Sequence, residues 1–167
     1  MTYTETNIVD FELIMEQLET VKDPEIDTVS IIDLGMVERL NRAGATIDID
    51  ILPTFLGCPA LPIIQKNIKQ ALLSIPSIET VNVSFVHSPP WTSDRINEKG
   101  QQGLKAFGIA PPPEFLEADG SWHIDCPYCS STYVTLDNLF GPTACRSILY
   151  CKSCKNPFEA MKPVSTL

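Results

Sequence analysis

The chain has 167 residues, of which 44% are apolar and 20% are charged, and its net charge is −9. This length fits one ordinary domain plus a smaller one, and no stretch is apolar for long enough to span a membrane. Residues 1–50 account for the whole excess of acidic side chains, which repels phosphate backbones and disfavours a nucleic-acid partner.

The first fifteen residues carry acidic side chains and no basic ones, so they do not resemble a secretory signal. We therefore expect a cytoplasmic protein. Disulfides are rare in that compartment, so the six cysteines are expected to bind metal or to undergo redox chemistry.

The first half of the chain predicts a small α+β domain. Apolar side chains recur at helical spacing from Phe11 to Val21, and Pro24 disfavours helical geometry at the residue before it. Further on, Ile47 and Ile49 alternate with aspartates, as in a half-buried strand. The predicted order is α-β-β-α-β, with both helices on one face of a small sheet. These elements are a helix over 11–21, strands over 36–41 and 45–52, a helix over 61–75 and a strand over 80–86.

In this domain, the thiol of Cys58 is the candidate functional group whose structural position is best defined by the sequence. A strand is predicted to end before it, Gly57 turns the chain, and Pro59 is acceptable in the first turn of the next helix. The positive end of a helix favours the thiolate, which is a better nucleophile or metal ligand than the thiol. The alternative is that Cys58 is a small buried apolar residue.

Acidic side chains in two loops are candidates to lie near this thiol. Asp23 and Glu25 belong to a predicted turn, and Asp33 precedes a glycine by two positions. Either aspartate could share a metal ion or a proton with Cys58. The alternative is that the aspartates hold local backbone amides, as they commonly do in turns.

The segment after the third strand predicts a helix and a linker. Thr92 is the predicted N-cap of a helix over residues 94–107, which Gly100 weakens and Gly108 ends. Trp91 is either a lid over Cys58 or a core residue. A proline-rich run follows, so the predicted organisation is a domain at 1–110, a linker at 111–122 and a second domain at 123–167.

The second domain contains two Cys-x-x-Cys pairs separated by 21 residues, which is close to zinc-ribbon spacing. Each pair offers two sulfurs to one ion, and together they complete the tetrahedron that Zn²⁺ prefers. Residues 132–136 and 147–150 predict the two strands of a β-hairpin between the pairs. A structural zinc site is predicted, with a redox dithiol or an iron–sulfur centre as the alternatives. The predicted ligands are Cys126, Cys129, Cys151 and Cys154.

Two further side chains in this domain are left out of the predicted ligand set. Cys145 lies between the pairs, where it is a small buried residue, a substitute ligand or a thiol that works with Cys58. His123 is expected to cap or to pack.

Several motifs together resemble a known family. The loop motifs resemble the iron–sulfur assembly domain family that includes SufT; they are Asp23-Pro24-Glu25, Asp33-Leu34-Gly35, Thr54 with Gly57-Cys58-Pro59, and Pro90-Trp91-Thr92. With Phe140-Gly141-Pro142-Thr143-Ala144-Cys145, both cysteine pairs and Pro157-Phe158 added, the whole chain resembles the D-subunit family of phenylacetyl-CoA epoxidases. Two positions depart from that family, Arg95 in place of an aromatic residue and Ser130 in place of glycine.

The resemblance implies an α-β-β-α-β fold and an accessory protein that does not itself catalyse epoxidation. It implies that Cys58 is the working cysteine and that the protein helps to mature an iron–sulfur cluster or metal centre of the epoxidase. The implied cofactors are structural Zn²⁺ and transient iron or an iron–sulfur cluster, and the implied partners are the reductase, the oxygenase and the iron–sulfur assembly machinery. The neighbours implied for this cysteine are Asp23, Glu25, Asp33 and Thr54.

The residues alone leave three other functions open. A zinc ribbon can serve as a nucleic-acid adaptor, although residues 111–167 carry six acids against four basic side chains. Cys58 could be the nucleophile of an enzyme, but no base such as Asp33 or His87 is fixed beside it by the sequence. The remaining function is that of a purely structural subunit.

Overall fold

A computed structural model describes residues 2–4, 8–113 and 123–164, with side chains from residue 11 onwards. The chain divides into two compact units, residues 1–91 and 92–167. The predicted boundary at residue 110 therefore differs from the structural division, because residues 92–110 group with the second unit. Most of the predicted linker, residues 114–122, lies outside the described residues. No helix in the described ranges is both long and apolar enough to cross a membrane.

The first unit contains the predicted α-β-β-α-β order, with three short strands added. The elements are β1 Thr2–Thr4, α1 Ile8–Glu19, β2 Lys22–Asp23, β3 Ile26–Ser30, β4 Val37–Ala43, β5 Thr46–Ile51, α2 Leu61–Leu73 and β6 Thr80–Phe85. Strands β4 and β5 pair antiparallel, whereas β1 with β4 and β5 with β6 pair parallel, giving a sheet ordered β1-β4-β5-β6. Strands β2 and β3 form a separate hairpin.

Alternation along β5 and helical spacing along α2 build the core of this unit. Ile47 and Ile49 are at most 1% exposed, while Asp48 between them faces solvent. Helix α2 connects two parallel strands and buries Ile64 and Ile68 along one stripe, as a crossover helix must do to cover a sheet. It also packs against α1.

The strand pairing brings three loops to one end of the sheet. The N–H of Leu52, just past β5, donates to the carbonyl of Met36, just before β4 (2.7 Å). The N–H of Val86, just past β6, donates to the carbonyl of Ile51 (2.9 Å). The segments that meet at this end are residues 31–36, 52–60 and 86–91.

The second unit holds one α-helix and a four-stranded sheet among its described residues. The elements are a 3₁₀ turn at Ser93–Arg95, α3 Glu98–Phe107, β7 Ile109–Ala110, β8 Val134–Asn138, β9 Arg146–Cys151 and β10 Pro157–Met161. The strands of the sheet are ordered β7-β10-β9-β8. The hairpin predicted between the cysteine pairs is present as β8 and β9, and β10 and β7 extend its sheet beyond the prediction.

The single helix predicted over residues 94–107 is wrong in its first turn. Thr92 precedes only the 3₁₀ turn and makes no side-chain cap bond. Asn97 is extended and its side chain accepts from the N–H of Gly100 (2.7 Å), so Asn97 starts the α-helix. Gly108 ends the helix as predicted, with φ +92°, a backbone conformation that suits glycine.

Candidate functional sites

The two cysteine pairs converge on one point in the second unit. The Sγ atoms of Cys126 and Cys154 are 3.7 Å apart, those of Cys129 and Cys151 are 3.6 Å apart, and all four lie within 4.8 Å of one another. Four thiolates bound to one zinc ion by bonds of about 2.3 Å lie about 3.8 Å apart in a regular tetrahedron. The sulfur positions therefore fit a single tetrahedral ion.

The two pairs are held by the same local backbone structure. In the first, the N–H of Ser130 donates to the carbonyl of Cys126 (2.8 Å), and in the second, the N–H of Lys155 donates to the carbonyl of Cys151 (2.9 Å). Each bond closes a tight turn, or knuckle, that points both sulfurs of its pair to the same side. Cys126 and Cys151 are also buried in the small core of this unit, with Leu149 among their neighbours.

Side-chain and backbone bonds join one knuckle to the other. The hydroxyls of Ser131 and Ser153 lie 2.7 Å apart, and the N–H of Lys152 donates to the carbonyl of Tyr133 (2.9 Å). The ammonium of Lys152 also lies 5.1 Å from the centre of the Tyr133 ring. Sequence reasoning missed the serine pair, because nothing in the spacing of the cysteines indicates which hydroxyls meet.

Backbone hydrogen bonds, burial and neighbouring thiols shift the pKa values of Cys151, Cys129 and Cys126 in different directions. The backbone N–H of Cys154 lowers the pKa of Cys151 to about 6. The N–H of Ser131 also lowers the pKa of Cys129, but desolvation and the neighbouring thiols outweigh it and raise that pKa to about 12. Burial raises the pKa of Cys126. Without a cation, this group therefore keeps protons that a metal ion has to displace.

Metal affinity should consequently rise with pH. Above about pH 6 the Cys151 thiolate is already formed, while Cys126 and Cys129 each still hold a proton. Displacing these two protons alone increases the apparent affinity by ~100-fold or more per pH unit between about pH 6 and pH 8, and more steeply below that range. Chelator competition at several pH values measures this slope. A slope near zero would contradict the assignment of protonated thiols in the metal-free site.

Both knuckles place a residue with a side chain in the left-handed region. Ser130 has φ 57° and Lys155 has φ 63°, and each directly follows the second cysteine of its pair. The structure thus supplies a physical reason why glycine was expected at Ser130. No pattern in the sequence indicated the same strain at Lys155.

Ser130→Gly and Lys155→Gly should each stabilise the metal-loaded protein by about 0.5–1 kcal/mol. Relief of left-handed strain is worth about 1–2 kcal/mol, and the extra freedom of glycine in the unfolded chain offsets part of it. Denaturant unfolding of the full chain measures the gain. The matched control is Thr135→Gly in strand β8, which pairs regularly with Tyr150 and where glycine should destabilise. Equal losses at all three positions would show that the knuckles are unstrained.

The structure separates Cys145 and His123 from the four-sulfur group. The thiol of Cys145 is half-buried and lies 3.2 Å from the hydroxyl of Thr143. His123 is exposed. Neither belongs to the group of four converging thiols.

In the first unit, Cys58 lies in the loop between β5 and α2 and is half-buried. Its N–H donates to the carbonyl of Phe55 (3.2 Å), and its own carbonyl accepts from Leu61 (3.4 Å), so two tight turns follow one another. Helix α2 begins only at Leu61, with Pro62 in its first turn. The predicted place of Pro59 in that turn is wrong, and the helix dipole acts more weakly on Cys58, since its effect falls off within one turn.

Asp33 and Asp23 both hold local backbone groups. One carboxylate oxygen of Asp33, which is 1% exposed, accepts from the N–H (2.9 Å) and the hydroxyl (2.7 Å) of Ser30. At the tip of the β2–β3 hairpin, a carboxylate oxygen of Asp23 accepts from the N–H groups of Glu25 (2.8 Å) and Ile26 (3.1 Å). Contacts of this kind within turns are the alternative that was given above to a metal ion or proton shared with Cys58.

The sheet end gathers some of the predicted site residues. Asp33, Thr54 and Cys58 lie on two of the three loops that meet there, whereas Asp23 and Glu25 lie at the hairpin tip. The third loop ends at Trp91, which is 4% exposed and donates from its indole N–H to the carbonyl of Leu34 (2.8 Å). Trp91 is therefore a core residue that ties two loops together.

Comparison with known proteins matches both halves of the chain. Residues 12–85 match the family model for iron–sulfur cluster assembly proteins, and residues 110–162 match the PaaD zinc beta ribbon domain. The D-subunit of a 1,2-phenylacetyl-CoA epoxidase from Escherichia coli (strain K12) is 34% identical over 146 residues, which cover 87% of this chain and 88% of that protein. The chain belongs to the D-subunit family of phenylacetyl-CoA epoxidases. The resemblance carried by its motifs is thereby confirmed.

Two further relatives cover the first unit. The Fe-S protein maturation auxiliary factor YitW of Bacillus subtilis (strain 168) is 40% identical over 95 residues, 56% of this chain and 91% of that protein. The crystal structure of a DUF59 domain from Bacillus anthracis superposes with a TM-score of 0.52 at 29% identity, covering 56% of this chain and 89% of that one. The predicted α+β fold with a C-terminal zinc ribbon is thus confirmed.

Proposed function

We propose that this protein is an accessory subunit of the phenylacetyl-CoA epoxidase system that helps to assemble an iron–sulfur cluster or metal centre, with the reductase as its client. The observation that carries the proposal is that one chain combines a cluster-assembly domain at residues 12–85 with similarity to an epoxidase subunit over 87% of its length. It is not itself the catalyst of epoxidation. Its partners are the reductase, the oxygenase and the iron–sulfur assembly machinery, and no nucleic acid or membrane is among them.

In this proposal the four thiolates of the second unit bind a structural zinc ion. Sulfur separations of 3.6 and 3.7 Å support one ion over a multi-iron cluster, which would spread the thiolates over several iron atoms. Four protein ligands leave no open coordination position, so the ion stabilises the fold and does not turn over. A unit with so small a core gains much of its stability from such an ion.

Cys58 is the working residue in this proposal. Its half-buried thiol lies in a loop flanked by the Asp33 turn and the Trp91 segment, and it would hold iron or a cluster transiently. Asp33 and Thr54 would shape the loop, while Asp23 and Glu25 would lie at its periphery. The proposed compartment is the cytoplasm, because its reducing conditions keep such a thiol reduced.

The test is Cys58→Ser expressed in cells that lack the native copy. We expect the iron and sulfide content of the purified reductase, and the epoxidase activity, to fall to the level of cells without the gene. Cys145→Ser is the matched control, since that half-buried thiol lies in the other unit and should leave both readouts unchanged. Full restoration by Cys58→Ser would instead support a purely structural subunit.

A further inference from the structure

An exposed apolar surface surrounds the loop that carries Cys58. Leu56 is 73% exposed, Ile63 at the start of α2 is 50% exposed, and Phe55 is 42% exposed. Three consecutive turns, Phe55–Cys58, Cys58–Leu61 and Ala60–Ile63, hold the backbone of this stretch in a compact path, because the ends of a tight turn lie within about 7 Å. Such large side chains cost free energy in water unless a partner covers them.

The segment that carries this surface has a charge opposite to that of the whole chain. Between Ile51 and Ile78 there is no acidic residue, although the chain carries a net charge of −9. The charged side chains in that segment are Lys66 and Lys69, which are exposed on the outward face of α2. Lys66 is three residues after Ile63 and therefore on the same face of the helix.

We propose that Phe55, Leu56, Ile63, Lys66 and Lys69, here called the loop–α2 surface, dock an acidic segment of a partner protein that also presents apolar side chains. The apolar members supply buried area, and the two lysines select carboxylates at its border. This inference extends the proposed function, on which its placement beside the working thiol rests. Binding at this surface would bring the metal-receiving groups of the partner close to Cys58.

A second copy of this chain is the competing occupant. Helix α1 carries Glu12, Glu16 and Glu19 on its exposed side, with Leu13 37% exposed, and could face the same surface in a dimer. Within one chain, α1 packs on α2, and the hydroxyl of Ser74 lies 3.3 Å from the side-chain oxygen of Gln17. Sedimentation of the full chain decides this point, since a dimer dissociated by Leu56→Asp would assign the surface to self-association and overturn the proposal.

A random-peptide display selection on the full-length, zinc-loaded protein tests the chemistry of the partner without assuming its identity. We expect the enriched peptides to combine Asp or Glu with apolar residues. Their affinity should fall about tenfold for Leu56→Asp and for Lys66→Glu, and should weaken with added salt. All the substituted side chains are exposed, so the thermal midpoint should not change.

Matched controls lie in the other unit. Leu139→Asp makes the same substitution as Leu56→Asp at another exposed leucine, and Lys105→Glu reverses an exposed charge on α3. Both should leave peptide binding unchanged. Failure to enrich acidic peptides, or equal losses in the controls, would overturn the docking surface. Peptide binding should survive Cys58→Ser, so a failed thiol mechanism and a failed docking surface give different results.

Discussion

Cys126→Ser is expected to abolish metal binding and to unfold the sheet of the second unit in the full-length protein. The Cys126 side chain is 1% exposed and belongs both to the four-sulfur group and to the small apolar core. Structural zinc in small domains contributes about 10–16 kcal/mol of apparent binding free energy at neutral pH, more than the usual stability of a domain. Metal analysis of the purified protein and near-UV circular dichroism measure the two losses.

The control for this prediction is Cys145→Ser, which removes a thiol outside the four-sulfur group. It should retain one metal ion per chain and the wild-type unfolding transition. If Cys126→Ser kept its metal, a substitute ligand such as Cys145 would have entered the site. If it lost the metal but kept its sheet, the apolar core would be sufficient to fold this unit.

Trp91→Ala should lower the free energy of unfolding of the first unit by about 3–5 kcal/mol. The indole is 4% exposed and its N–H is bonded to the carbonyl of Leu34, so the truncation leaves a cavity and an unpaired acceptor. Because this bond joins two of the three loops at the sheet end, the loop that carries Cys58 should also become more accessible. Denaturant unfolding and the rate of Cys58 alkylation measure these effects.

Trp91→Phe separates packing from hydrogen bonding. It keeps most of the buried ring and loses the bond to Leu34, so its cost should be near 1 kcal/mol. A loss below about 1 kcal/mol for Trp91→Ala would contradict the core assignment, since truncation of a buried tryptophan costs several times more.

Periodicity predicted the main elements of the first unit because its apolar faces are long and regular. The alternating isoleucines of β5 and the apolar stripe of α2 give strong periodic signals, and these same side chains are buried in the folded unit. Strands β1, β2, β3, β7 and β10 were not predicted, and three of them are only two or three residues long. Strands of two or three residues carry no period, and their existence depends on a partner strand elsewhere in the chain.

The errors fell where local signals compete. Thr92 and Asn97 are both good N-caps, and only the folded chain decided that the α-helix starts at the second. Pro59 and Pro62 are both acceptable in a first turn, and the hydrogen bonds of the loop selected Pro62. Short-range propensities differ by less than the packing energies that settle such choices.

By itself, the sequence predicted that four thiols in two knuckles converge on one point, because each Cys-x-x-Cys pair can offer both of its sulfurs to the same tetrahedral ion. It also determined the α+β order of the first unit. Only the tertiary structure decided that Trp91 is buried against Leu34 and that Asp33 holds its own turn. The same holds for the exposure of Leu56 and Ile63 beside Cys58. Each of these features depends on which distant segments of the chain lie together at one end of the sheet. Strand pairing determines this arrangement, and no local sequence pattern indicates it.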